Sequence, residues 1–141
     1  MLDMSDGDDQ LLGYLLHRLT TALRTDVTAT VLEPLGLPFP QFICMRILSL
    51  HPGSSNAELA RDVMVSPQAM NMVVRSLQDR GLVTRPATVA AGRSLPAELT
   101  QEGKALLRRT EAGIRAAEDR VLAPLNERDQ RELRRILADF G

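Results

Sequence analysis

The sequence has few aromatic residues and a single cysteine. Aromatic residues make up 3% of the 141 residues and tryptophan is absent, so a core must be built mainly from aliphatic side chains and methionine. One cysteine, Cys44, excludes a framework of intrachain disulfides and favours a reducing cytoplasm. No apolar run approaches the roughly 20 residues that span a bilayer, and the Asp-rich N-terminus does not resemble a signal peptide. We therefore expect a cytoplasmic protein with neither a membrane segment nor a leader.

Signatures of catalysis and of metal binding are missing as well. The two histidines, His17 and His51, show with Cys44 no metal-ligand spacing. No phosphate-binding loop and no dinucleotide-binding glycine pattern is present. An enzyme that used Cys44 with a histidine would need the fold to bring them together, which nothing in the sequence indicates. The sequence predicts a protein that is not an enzyme and has no metal or cofactor.

The net charge of −1 is distributed unevenly along the chain. Residues 1–40 carry two basic and six acidic side chains, residues 41–110 carry nine and five, and residues 111–141 carry six and seven. The central segment is therefore electropositive, with a net charge of +4, between acidic or near-neutral flanks. This distribution favours salt-sensitive nucleic-acid binding by the centre of the chain.

Two short helices are predicted within the stretch 55–81. The first covers residues 55–62. The second opens at Ser66, a typical N-cap, followed by Pro67, which fits a first helical position because the N–H there has no helical partner. Gly81 ends this helix, since glycine readily adopts a left-handed conformation. The lengths are those of a helix-turn-helix.

After these helices the residue pattern changes from a helical period to one typical of short strands. Residues 82–84 and 94–99 predict a small hairpin around a loop that contains glycine and alanine. A helix-turn-helix followed by a hairpin is a winged helix, a shape that suits a DNA groove. Apolar periodicity predicts further helices over residues 10–31, 41–50, 100–124 and 126–140. Pro34 ends the first of them, and Thr100 and Asn126 are the N-cap candidates of the last two.

Five short motifs follow one another along the chain: Ala57-Glu58-Leu59-Ala60, Val65-Ser66-Pro67-Gln68, Val73 to Leu77, Asp79-Arg80-Gly81-Leu82-Val83 and Leu99-Thr100-x-x-Gly103. In this order and spacing they resemble the MarR (multiple antibiotic resistance regulator) family of bacterial transcription factors, and the resemblance extends over nearly the whole chain. It implies one domain, 1–141, with a mostly α winged helix-turn-helix fold of about six helices and a small β-hairpin wing. Segments 10–33 and 100–141 would dimerise, and 41–99 would form the DNA-binding lobe.

The resemblance also implies how such a protein works. The terminal helices carry more apolar surface than a domain of this size can bury alone, which favours a homodimer. A two-fold dimer presents two recognition helices to successive major grooves of a palindromic operator in double-stranded DNA. Repression is the commoner mode in the family. The alternative is a winged helix that contacts another protein and binds no operator.

Side chains on the outward face of the second helix are the candidates for reading DNA. Gln68 and Asn71 can pair with adenine, Arg75 can bind guanine or a phosphate, and Ala69 and Met72 can contact a thymine methyl group. Gln68 and Asn71 are alternatively ordinary solvated helix residues. Ser66 and the helix N-terminus suit a phosphate, and Ser76 is also assigned outward. The predicted DNA contacts are Ser66, Gln68, Ala69, Asn71, Met72, Arg75, Arg85 and Arg93.

The wing departs from the family pattern. Arg93 aligns with the family's wing arginine, which reaches the minor groove or its phosphates. The usual Asp-Arg-Arg triplet is replaced by Ala91-Gly92-Arg93, which implies a more mobile loop or a smaller contribution to affinity. Arg85 takes part of that role, or it is a solvated charge at a strand end.

A small aromatic or anionic effector is a further implication of the resemblance. In the family it binds in a crevice between the dimer helices and the winged helix, where the candidates here are Tyr14, His17, Arg18, Met45 and Arg46. A dimer-interface or exposed histidine is the favoured alternative for His17, and a core position is favoured for Met45.

Cys44 is a candidate for peroxide sensing or for an inert core position. It lies in an apolar helix, and no second cysteine is available to resolve a sulfenic acid. The sensing cysteine of the family lies in the first helix, where this chain has none. The sequence therefore favours a buried, unreactive thiol.

Overall fold

The predicted winged-helix architecture is confirmed by the structure, a computed structural model that describes residues 9–85 and 97–141. The Asp-rich residues 1–8 and the wing triplet with Arg93 lie outside the described residues. The elements are α1 (Leu12–Val27), α2 (Phe39–Leu50), α3 (Asn56–Val63), α4 (Pro67–Asp79), β1 (Val83–Thr84), β2 (Glu98–Leu99), α5 (Gln101–Val121) and α6 (Glu127–Ala138).

The chain divides into two compact units. The terminal unit comprises the described residues up to Val31 together with Gly113–Gly141, and the central unit comprises those between Leu32 and Ala112. The central unit contains the described residues of the predicted DNA-binding segment 41–99 and extends beyond that segment at both ends. Helix α5 contributes to both units.

One apolar face of α4 is completely buried in the central unit. Its side chains Met70, Val74 and Leu77 recur at spacings of four and three and have no exposed surface. This spacing places them in one stripe along the helix, on the side away from the face predicted to point outward. The buried side chains of the same unit include Leu37, Cys44, Met45, Leu48 and Leu59.

The hairpin is short and connects directly to α5. Val83 lies opposite Leu99 in an antiparallel pair. The strands are shorter than predicted, and residues 94–96 lie outside the described part of the chain. Thr100 caps α5 as predicted, because its hydroxyl oxygen accepts a hydrogen bond from Gly103 N at 3.0 Å. The same hydroxyl donates to Gly81 O at 2.6 Å and so joins the chain just after α4 to the start of α5.

The prediction that Pro34 breaks the first helix is wrong. Helical structure continues from α1 through a π turn, Thr28–Leu32, into an α-helical turn, Glu33–Leu35. Pro34 occupies the first turn of this new segment, where a backbone N–H is not needed for an intrahelical bond. The segment ends at Gly36, whose φ of 61° gives the left-handed geometry that closes a helix.

Other helix boundaries also differ from prediction by two or three residues, and α1 begins at Leu12 instead of residue 10. Helix α2 begins at Phe39 because Pro40 is accepted in its first turn. Helix α5 ends at Val121, since the chain turns before Pro124. Helix α6 begins after Asn126, whose side-chain oxygen accepts from Asp129 N at 2.8 Å as predicted, but it ends at Ala138.

The terminal unit leaves much apolar surface uncovered. Val27, Val31 and Ala117 are buried, whereas α6 has no buried residue. An ion pair between Arg120 and Asp26, with 2.6 Å between Nη2 and Oδ1, joins α5 to α1 and lowers the pKa of the Asp26 carboxyl group. The exposed large apolar side chains of this unit are Leu11, Leu12, Tyr14, Leu16, Ile136, Leu137 and Phe140.

Gly103 is required by the packing of α5 beneath the hairpin. A Cβ atom at this position would lie 2.1 Å from the carbonyl oxygen of Leu82, a backbone atom that cannot move away cheaply. Gly103→Ala should therefore lower the free energy of unfolding by about 1–3 kcal/mol, the usual cost of overpacking. Gly13→Ala in α1 is the matched control, because nothing lies within 4 Å of its added Cβ and helix propensity alone should stabilise it. Urea denaturation measures both variants, and equal stability of the two would contradict the clash.

Candidate nucleic-acid interface

Helix α3 is fixed at its start by reciprocal hydrogen bonds. The Ser55 hydroxyl oxygen accepts from Glu58 N at 3.2 Å, and the Glu58 carboxylate accepts from Ser55 N at 3.3 Å. These bonds from Ser55 lower the pKa of the Glu58 carboxyl group. The Asn56 side-chain amide donates to the carbonyl oxygen of Pro67 at 3.1 Å. The start of α3 is thereby tied to the start of α4.

The turn between α3 and α4 places a methionine in a conformation usually taken by glycine. Met64 has a φ of 63°, and its side chain is 90% exposed. Left-handed geometry costs a side-chain-bearing residue about 1–2 kcal/mol. Because the side chain has little packing to offset this cost, the turn geometry is imposed by the two helices that it joins.

The N-terminus of α4 has the predicted cap. The Ser66 hydroxyl oxygen accepts from Ala69 N at 3.1 Å, and Pro67 occupies the first helical position. First-turn N–H groups have no intrahelical acceptor, and the helix dipole is positive at this end. The arrangement can therefore receive a phosphate oxygen.

The outward face of α4 gathers four of the predicted DNA contacts. Gln68, Asn71, Met72 and Arg75 are all exposed and follow the spacing of one helical face, opposite the buried stripe. Ala69 is half-buried at the edge of this face. The surface combines amide groups, one guanidinium and one apolar side chain, which are the chemical groups that read base edges.

Ser76 is predicted on the outward face of α4, and this prediction is wrong. It is half-buried, and its hydroxyl oxygen accepts a hydrogen bond from Gln41 Nε2 at 2.9 Å. Arg80, at the C-terminal end of α4, bonds to the same glutamine through its guanidinium. No local sequence signal indicates these contacts, because Gln41 precedes the two residues by 35 and 39 positions.

Arg85, at the end of β1, is half-buried with its charge turned inward. Its Nε and Nη2 atoms are buried and have no hydrogen-bond partner within the part of the chain that the structure describes. Burial lowers the pKa of this guanidinium, while a charge on Cys44 would raise it. This partial burial does not match the alternative of a fully solvated charge at the strand end.

Cys44 is fully buried, as predicted. Burial raises the pKa of its thiol to about 12, and the positive charge of Arg85 opposes that rise only weakly. The thiol is consequently protonated near neutral pH and poorly nucleophilic.

The predicted effector contacts differ in exposure. Tyr14, His17 and Arg18 are exposed on α1 in the terminal unit. Met45 is completely buried in the central unit, which agrees with the core position favoured for it over an effector contact. Arg46 is half-exposed and pairs with Glu111, with 3.3 Å between Nη1 and Oε2.

A cavity of 530 Å³ lies within the central unit between the end of α2, strand β2 and the first half of α5. No local pattern in the sequence indicates this cavity, because its walls come from three segments that are distant along the chain. Its volume is in the range of small-molecule sites. Its lining comprises Leu48, Ser49, Pro52, Glu98, Leu99, Lys104, Leu107, Arg108 and Glu111.

Other kinds of site find no support in residues 9–85 and 97–141. Within these ranges no group of three or more histidine, cysteine, aspartate or glutamate side chains could hold a metal ion. No single helix there is long and apolar enough to cross a membrane. Only the pair Leu12–Leu35 and Phe39–Leu50, taken together across a bend, has that length and composition.

Comparisons with known proteins agree with this geometry. The sequence profile of the MarR family matches residues 35–94. The HTH-type transcriptional repressor Rv2887 of Mycobacterium tuberculosis is 55% identical over 138 residues, which cover 98% of this chain and 99% of the relative.

Two solved structures of the M. tuberculosis MarR family protein Rv2887 are similar to this chain. Its complex with DNA has a TM-score of 0.84 at 52% identity, covering 94% of this chain and 99% of the other. Its complex with salicylic acid has a TM-score of 0.78 at 56% identity, covering 96% and 99%.

Burial of Cys44 predicts slow thiol chemistry in the folded protein. At pH 8 an aromatic disulfide reagent should label native Cys44 on the order of a hundredfold or more slowly than the urea-unfolded chain, because the thiolate is scarce and shielded. A double variant, Cys44→Ser with Ser49→Cys, places an exposed thiol on the same helix and should react fast. Burial raises the pKa of the Cys44 thiol from 9.0 to about 12 in the folded protein. The contribution of the protonated thiol to the free energy of unfolding is therefore complete below pH 9 and is lost as the pH rises toward 12. Equal labelling of folded and unfolded protein would refute the assignment.

Proposed function

The chain belongs to the MarR family of transcriptional regulators, and from this premise we propose that it is a homodimeric, sequence-specific DNA-binding repressor that a small aromatic carboxylate releases from its operator. The observation that carries the proposal is the outward face of α4. An exposed row of base-reading side chains lies opposite a stripe with no exposed surface. The same helix is therefore anchored in the core on one side and open to a groove on the other.

DNA recognition is assigned to the part of α4 that runs from its capped N-terminus to Arg75. The capped N-terminus, with Ser66, receives a backbone phosphate, which sets the depth of the helix in the major groove. Gln68 and Asn71 read base edges through their amide groups. Arg75, one turn later, binds a guanine or a phosphate, and the exposed Met72 contacts a thymine methyl group at the same face.

The wing has a smaller role in this proposal. Arg93 is the assigned contact to the minor groove or its phosphates. Arg85 is retained as a predicted wing residue, but its buried guanidinium would have to turn outward to reach DNA. We expect the wing to contribute affinity without sequence preference.

A homodimer is supported by the apolar surface of the terminal unit. Leu12 and Leu16 on α1 are 71% and 40% exposed, and Phe140 after α6 is 85% exposed. Side chains of this size are costly to leave in water when they are clustered. A second copy of the chain would cover them and supply the second recognition helix that a palindromic operator needs. The protein would act in the cytoplasm, where its DNA is.

The cavity of the central unit is the proposed effector site. Leu48, Leu99 and Leu107 offer apolar surface to an aromatic ring, and Lys104 and Arg108 offer positive charge to a carboxylate. Lys104 lies in the first turn of α5, where the helix dipole also favours an anion. The Rv2887 protein was solved with salicylic acid, a ligand of this chemical class.

The exposed α1 residues Tyr14, His17 and Arg18 and the ion-paired Arg46 stay predicted effector contacts. Met45 is less suited to direct contact because it has no exposed surface. The cavity touches strand β2 of the wing, so an occupant could displace the wing and lower DNA affinity. No catalytic step is proposed for this protein.

DNA binding is tested with a fragment of the promoter nearest to the protein's own gene. Parent protein should bind it with an affinity that falls as salt rises, because phosphate contacts release counterions. Asn71→Ala should lower discrimination at one base position by about 1–3 kcal/mol, whereas Arg93→Ala should weaken binding to all sequences similarly. Fluorescence anisotropy on operator and scrambled fragments measures both effects.

Sedimentation of the same samples provides the control for assembly, and a dimer is expected at micromolar concentration. A salt slope of zero without a footprint would refute the repressor and favour a winged helix that contacts proteins. A monomer would refute the interlocked terminal helices.

Effector binding is tested by calorimetric titration with sodium salicylate. Lys104→Ala and Arg108→Ala should each weaken binding about tenfold, because each removes a charged hydrogen-bond donor for the carboxylate. Arg109→Ala is the matched control: it removes a neighbouring exposed arginine of α5 that does not line the cavity. Unchanged affinity in both cavity variants would place the ligand elsewhere, and Tyr14, His17 and Arg18 would be tested next.

A further inference from the structure

We infer that Arg80 is a positioning residue for DNA recognition, which fixes the orientation of α4 by binding the end of the first helical segment. The inference rests on the proposed function, since it concerns how the recognition helix is aimed. Arg80 caps the C-terminus of α4, at the opposite end from Gln68 and Asn71, the two residues assigned to read base edges through their amide groups.

The guanidinium of Arg80 spans from α4 to two backbone carbonyls. Its Nη1 donates to Gly36 O at 2.9 Å, and its Nη2 donates toward Leu35 O at 3.4 Å. These oxygens belong to the turn that ends the helical segment Glu33–Leu35, where the helix dipole is negative. Arg80 is exposed, but its Nη1 and Nη2 atoms donate to protein oxygens, so the cation is bound both by hydrogen bonds and by the dipole.

A second connection runs through Gln41 on α2. Its Oε1 atom accepts from Arg80 Nη1 at 3.2 Å, and its Nε2 atom donates to Ser76 Oγ at 2.9 Å. Ser76 and Arg80 are four residues apart and thus lie one above the other on α4. One glutamine side chain consequently holds two successive turns of the recognition helix, and the three residues resist rotation of α4 about its axis.

The length of α4 between Arg80 and Gln68 makes the hydrogen bonds of Arg80 relevant to base contacts. Gln68 precedes Arg80 by twelve residues, which corresponds to about 18 Å along the helix. A tilt of about 5° at the Arg80 end would displace the Gln68 end by about 1.5 Å, more than the tolerance of a hydrogen bond to a base. The apolar stripe fixes the depth of α4 in the core, whereas directional hydrogen bonds define its angle.

Arg80→Ala separates positioning from direct DNA contact. Operator affinity should fall about tenfold, comparable to the loss of one base contact, with affinity for scrambled DNA unchanged. The salt dependence of operator binding should keep its slope, because no phosphate contact is lost. Arg75→Ala, on the same helix, should instead reduce that slope by about one. Arg80→Lys should keep part of the operator affinity that Arg80→Ala loses, since an ammonium group can donate to a carbonyl oxygen but lacks the two parallel donors of a guanidinium.

Ser76→Ala and Gln41→Ala provide variants that keep every charge. Each should lower operator affinity about threefold, and combining Gln41→Ala with Arg80→Ala should cost less than the sum of the two. Circular dichroism confirms that each variant is folded at the temperature of the measurement.

Three results would overturn the inference. Loss of one unit of salt slope in Arg80→Ala, with equal loss on both DNAs, would make Arg80 a phosphate contact. Unchanged operator affinity in Arg80→Ala, or in the folded Ser76→Ala and Gln41→Ala variants, would exclude positioning. Failure of the parent protein to bind its promoter fragment would refute the proposed function itself, and the inference with it.

Discussion

Burial of one face of α4 is the constraint on which the rest of the central unit depends. Met70, Val74 and Leu77 are removed completely from water. Each such side chain contributes about 1.5–3 kcal/mol, so the helix cannot turn this stripe away from the core without losing much of the stability of a small unit. The opposite face is held outward as a consequence, and it can carry polar side chains at no cost to folding.

Apolar burial fixes only how deep α4 lies in the core, and hydrogen bonds define its orientation there. The Ser66 cap defines where α4 begins, and the bonds of Arg80 and Gln41 define how its far end is held. A polar contact of this kind replaces bonds to water and contributes only about 0.5–1.5 kcal/mol, or somewhat more with a charged partner. Its importance for function lies in geometry, because base readout tolerates small errors only.

Local signals in the sequence predicted the elements well, and tertiary contacts produced the differences. Caps at Ser66, Thr100 and Asn126 were identifiable because a cap depends on residues within one turn. Local rules predict a helix break at Pro34, but its acceptance in a new turn depends on the π turn before it. Helical periodicity places Ser76 on the outward face, because it cannot reveal a glutamine 35 residues away.

The sequence by itself determined the winged-helix order of elements, the apolar stripe of α4 and the exposed positions of Gln68, Asn71 and Arg75, because spacing along one helix decides which side chains share a face. The tertiary structure alone decided the bonds of Arg80, the inward charge of Arg85 and the cavity beside β2. Each of these joins segments distant in the chain. Their approach is fixed by packing of the whole unit, which no local pattern encodes.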